Sequence, residues 1–156
     1  MKNYDVIGMV QNGTLGITGF DLDAANSYKV VKFRTALQKA FKKIQELEEN
    51  ILKGLDITDP SSVDSRVKEL SAKDSLSEEE KKELEDLQSK IKKFNETRAE
   101  MLNEEAVLEN VKTMPYEQWH KLRKENRPKD ESTPDPLNNY TESLLENILW
   151  KAPEEE

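Results

Sequence analysis

Cysteine is absent from all 156 residues, so this chain can build no disulfide framework, zinc-thiolate centre or thiol nucleophile. An intracellular protein is the simpler expectation. Histidine is nearly absent too: His120 stands alone in Trp119-His120-Lys121-Leu122, with no His or carboxylate partner at metal-ligand spacing. A triad or a metal site would have to rest on that one ring. The chain is therefore read as non-enzymatic, with no catalytic residue, cofactor or metal assigned and no small-molecule substrate evident. Nowhere do about 18 apolar residues run together, and residues 1–10 hold no apolar run of signal-peptide length, so no membrane association is expected.

Glycine and proline are scarce where it matters. Four of the five glycines are Gly8, Gly13, Gly16 and Gly19, and all six prolines lie at or beyond Pro60. The glycine spacing matches neither the P-loop nor the dinucleotide fingerprint, and no Lys-Ser/Thr pair follows it. Residues 4–10 and 14–17 read as two short β-prone runs around Gln11-Asn12-Gly13. Asn-Gly between such runs predicts a β-hairpin, because both residues tolerate the positive φ of a tight turn.

What the chain has in quantity is charge. Acidic residues number 32 and basic residues 24, a net charge of -8, and charged residues (36%) slightly outnumber hydrophobic ones (35%). That balance suits long amphipathic helices better than a compact enzyme around a deep pocket. Val30, Phe33, Leu37, Ala40, Ile44, Leu47 and Ile51 recur at alternating spacings of three and four, which predicts a coiled-coil seam of three heptads. Phe41, Leu52 and Leu55 widen that stripe. Asp21 or Asp23 can cap the start, and Gly54 sits where a helix would end in a left-handed residue.

Asp59-Pro60 followed by Val63, Val67 and Leu70 predicts a short connecting helix. A second long helix starts at Ser77, whose side chain and that of Glu80 form a capping box. Leu84, Leu87, Ile91, Phe94, Met101 and Leu102 carry its stripe, with Arg98 intruding at a seam position. The two long helices are expected to fold back on one another as an antiparallel hairpin. Residues 106–112 predict a strand that could join the N-terminal hairpin in a small three-stranded sheet. A short helix follows Pro115, and a last helix is expected over 138–151. The domain reading is a helical-hairpin domain over 1–124, a proline-rich linker over 125–137, and a C-terminal helix with an acidic tail over 138–156.

Two basic clusters interrupt the acidic balance: Lys29, Lys32, Arg34, Lys39, Lys42 and Lys43, and a second through His120, Lys121, Arg123, Lys124, Arg127 and Lys129. An acidic pI and the lack of interleaved aromatic platforms argue against nucleic acid as a partner. Trp119 and Leu122 on one short helix, and Leu145, Ile148, Leu149 and Trp150 on another, are the candidate partner-binding residues. Apolar residues on several sides of a tethered helix must be buried on the parent core or on another protein, and the second alternative is favoured.

The helix over 24–53, the block Phe94-Asn95-Glu96-Thr97-Arg98-Ala99-Glu100-Met101-Leu102-Asn103-Glu104-Glu105-Ala106-Val107, the following strand and the helix after Pro115 together resemble a family of small tailed-phage proteins of unknown function. The resemblance covers about two thirds of the sequence. It implies a mainly α fold and a phage gene product acting in the virion or the host cytoplasm, without implying a reaction. The function expected is an adaptor or component of a virion or virion-assembly complex, bound to a protein partner or to copies of itself. The alternative is a small phage regulator or inhibitor that binds a host protein.

Overall fold

A computed structural model describes residues 1–11, 22–130, 132, 137, 139–146 and 148–150. It is mainly helical, with α1 Asn3–Gln11, α2 Ala24–Gly54, α3 Pro60–Ser71, α4 Glu78–Asn103, α5 Tyr116–Glu125 and α6 Asn139–Leu145. The described residues form no sheet, only the isolated bridges Lys2 to Glu105, Met114 to Trp150 and Glu146 to Trp150. The chain divides into two compact units, one of residues Met1–Lys42 with Glu105–Glu156, the other of Lys43–Glu104. Helix α2 contributes its beginning to the first and its end to the second.

Among the described residues the expected N-terminal β-hairpin does not form. Its first arm is α1, whose buried Val6 and Met9 are a helical step apart, and the Asp5 carboxylate accepts from the Lys2 N–H at 2.8 Å, satisfying a donor ahead of the first turn. The preference of Val and Ile for strands is weak against a tertiary setting that rewards burial at helical spacing. The Asn12-Gly13 turn and the second arm, 14–17, lie outside the described residues. The strand expected over 106–112 is also replaced by irregular backbone. Only its approach to the N-terminus pairs: Ala106 N–H donates to the Met1 carbonyl at 2.9 Å, and the Met1 ammonium meets Glu105 at 3.1 Å.

In the first unit the seam residues Val30, Phe33, Leu37 and Ala40 are all buried, with Ala36 buried beside them. Asp23 caps the start of α2, accepting from the Asn26 N–H at 2.8 Å, and Asp21 lies outside the described residues. Val6, Met9, Met114, Trp119, Leu122, Leu137, Leu145, Leu149 and Trp150 complete the buried set. The last helix is shorter than expected: α6 stops at Leu145, whose carbonyl accepts from the Leu149 N–H at 2.8 Å. Beyond it the Leu149 carbonyl accepts from the Met114 N–H at 2.8 Å, so tertiary pairing takes the segment that helical periodicity had claimed.

The second unit holds the end of α2, α3 and α4. Its antiparallel packing differs from a two-helix hairpin. Arg98 of α4 pairs with Glu48 of α2, while Arg66 of α3 makes a forked pair with Glu83 of α4 at 2.8 Å on each arm. Thus α4 lies against the end of α2 with its last turns and against α3 with its first. The connecting helix supplies to the first turns of α4 the partner that the end of α2 was expected to supply. The joint between α2 and α3 explains how. Asp56 has φ 53, its N–H reaches the Lys53 carbonyl at 3.1 Å, and the Ile57 N–H reaches the Leu52 carbonyl at 2.9 Å. This is the paired bonding of a Schellman ending, with Asp56 in the left-handed position expected for Gly54. The Asp59 carboxylate then accepts from the Ser61 N–H at 3.0 Å and starts α3 at Pro60.

Candidate functional site

The six residues chosen from the sequence as partner anchors come together, but facing inward. Trp119, Leu122, Leu145, Leu149 and Trp150 are buried, and Ile148 is half-buried. The indoles of Trp119 and Trp150 stack with centroids 6.1 Å apart and planes 4° from parallel. Trp119 Nε1 donates to Glu142 Oε1 at 3.1 Å, and Arg123 Nε donates to Glu142 Oε2 at 3.1 Å. Arg123, only 3% exposed, also donates from Nη2 to the Leu137 carbonyl at 2.6 Å. The polar edge of α5 is thereby tied to α6 by a carboxylate that serves a tryptophan and a guanidinium together. Five of the six are packing of the first unit rather than a free face, the alternative of burial on the parent core, and Ile148 is partly covered. The reason is the Glu142 pairing, which no periodicity reveals.

In the second unit the apolar stripes are incompletely covered. Ile44, Ile57, Leu70 and Met101 are buried, but Leu52, Val63, Leu84, Leu87, Ile91 and Phe94 are only half-buried, and Leu47 is 44% exposed. Between the end of α2, α3 and α4 lies a groove of about 220 Å³, its apolar lining formed chiefly by Leu52, Ile57, Val63, Ile91 and Phe94. Such a groove can take an apolar side chain from a protein partner. Among the described residues Asp64 is the one carboxylate on its wall, and no base or nucleophile accompanies it.

Ion pairs brace this unit. Glu83 holds the Arg66 guanidinium protonated well beyond its ordinary range, with Glu69 adding to the effect, and Arg66 in turn lowers Glu83. Glu80 is lowered to about 2, first by its bond from Lys73 and then by the Ser77 N–H of the capping box. That box is complete: Ser77 N–H reaches Glu80 Oε2 at 2.9 Å and the Glu80 N–H reaches Ser77 Oγ at 3.2 Å.

His120 lies on the exposed side of α5, its ring 5.8 Å from that of Tyr116. Among the described residues no three His, Asp or Glu side chains gather as a metal site would require, and no helix is long and apolar enough to cross a membrane. Comparisons with protein-family models, with curated proteins and with solved structures find no match to this chain.

Proposed function

We propose that this chain is a non-enzymatic interaction protein of the tailed-phage type, an adaptor or component of a virion or virion-assembly complex that binds a protein partner. The observation that supports the reading is the half-covered apolar face of the second unit. Leu47 is 44% exposed, and the same unit holds the 220 Å³ groove with its largely apolar lining. Burying such a face yields about 25 cal/mol per Å².

The test combines location with a surface variant. Leu47→Lys changes an exposed position, so its melting transition should match the parent's within about 0.5 kcal/mol. Mass spectrometry of purified virions should detect the parent protein at stoichiometric copy number and the variant at much reduced copy number. Detection of the parent only in infected cytoplasm would instead favour the small regulator of a host protein. Equal incorporation of both proteins would remove this face from the contact.

A further inference from the structure

The second basic cluster has a geometry of its own, separate from the face assigned to protein binding. His120, Arg123, Lys124 and Arg127 line a cleft of about 260 Å³ on the first unit, and among the described residues no carboxylate lines it with them. His120, Arg123 and Lys124 share one side of α5, and Arg127 follows just beyond its C-cap Asn126. Neighbouring Lys121 has a carboxylate at 3.9 Å in Glu125, whereas Lys124 and Arg127 have no ion-pair partner among the described residues. Arg123 differs from both. It is 3% exposed and fixed by Glu142 and the Leu137 carbonyl, which makes it a rigid part of the wall.

We propose that this cleft binds a short phosphate chain, of the kind carried by inorganic triphosphate or a nucleoside triphosphate. A single carboxylate is matched by one cation, but a phosphate chain carries several charges on adjacent oxygens and needs several cations with no acid among them. In a chain of net charge -8, a cleft whose described lining holds cations and no acid is a local reversal of the surrounding field. The volume sits just below the range of whole-ligand pockets, so it suits the phosphates rather than the base and sugar of a nucleotide. Lys124 and Arg127 supply the uncommitted charge, His120 adds a ring nitrogen at the rim, and Arg123 holds the wall in place.

Calorimetry on the full chain at low salt, with sodium triphosphate and no metal, tests the idea. Saturable binding of one triphosphate per chain is expected, with Lys124→Gln and Arg127→Gln each weakening it on the order of tenfold. Lys121→Gln, on the same helix but outside the cleft, should leave it unchanged. All three positions are exposed, so each variant should melt as the parent does. Adenosine triphosphate binding as tightly as triphosphate assigns recognition to the chain of phosphates, and tighter binding assigns it to a nucleotide. Three results would overturn the proposal: no saturable binding up to about 1 mM triphosphate, equal weakening by Lys121→Gln, or stronger binding of a single-stranded oligonucleotide that all three variants weaken alike.

Discussion

Asp56 carries one of two positive φ values at non-glycine residues among the described positions, at 53°, and the other is Asn110 at 59°. Left-handed backbone brings the Cβ of an L-residue close to the following carbonyl, at a cost of roughly 1–2 kcal/mol, though Asp and Asn tolerate it better than most. The cost is accepted at Asp56 because the turn allows Ile57 to fold back, 6% exposed, beside Leu52. Glycine would remove the strain and keep both capping bonds, while adding freedom to the unfolded chain. Asp56→Gly should therefore stabilise the protein by about 0.5–1 kcal/mol in urea unfolding. A loss of stability would mean that the carboxylate has a role in this turn beyond its backbone angle.

At the scale of elements, the helix starts that were legible are those whose signal is local. Asp59-Pro60 and Ser77 with Glu80 act within one turn, and α3 and α4 begin where those residues stand. Tertiary choices were less legible. The run 4–10 satisfies strand preference in isolation but is helical here, because Val6 and Met9 are buried together. The end of the last helix escaped for a similar reason, since Met114 bonds the Leu149 backbone. Arg98 looked like a flaw in a seam, yet it has Glu48 opposite it.

The caps and ion pairs of α3 and α4 also give a sign to the effect of pH. Folding lowers the carboxyl pKa of Glu80 to about 2 through Lys73, and lowers Glu83 through Arg66 and Asp59 through Ser62 and Ser61. A lowered carboxyl pKa adds stability that is complete above the unfolded value, near 4.3 for glutamate, and lost as pH falls through the folded one. Acid titration followed by far-UV circular dichroism should thus show helical signal falling between about pH 4.5 and about pH 2. In Glu80→Gln, which cannot titrate, this acid-dependent loss should shrink. The groups are in contact with solvent, Glu80 and Glu83 half-buried and Asp59 exposed, so salt should weaken the effect. An unchanged titration in Glu80→Gln would assign the loss to other carboxylates.

For the molecule as a whole, the division into two units separates roles that the sequence had placed along one hairpin. The first unit carries 13 basic and 15 acidic residues, the second 11 and 17, so most of the net charge belongs to the second. Of the proposed surfaces, the apolar groove was visible in the sequence as a stripe, though its exposure was not. Exposure depends on how much of α4 the other helices cover. The inward position of Trp119, Leu145, Leu149 and Trp150 was invisible for the complementary reason, since it depends on which helix they meet. Both tryptophans lie in the first unit, which makes their fluorescence a report on that unit, while far-UV circular dichroism reads both.

Leu37 and Ile44 use that distinction. They lie on the same seam of α2, each 2% exposed, but Leu37 belongs to the first unit and Ile44 to the second. Aspartate at either site puts a charge into an apolar interior with no partner, a cost of several kcal/mol against a total stability of order 5–15. Leu37→Asp should shift tryptophan emission to the red and broaden the fluorescence-detected melt, because Trp119 and Trp150 lose the packed unit around them. Ile44→Asp should lower the helical signal while disturbing tryptophan emission less. Identical changes in both probes for both variants would show that the two units melt as one cooperative body and that the seam, not the unit, is the element of stability.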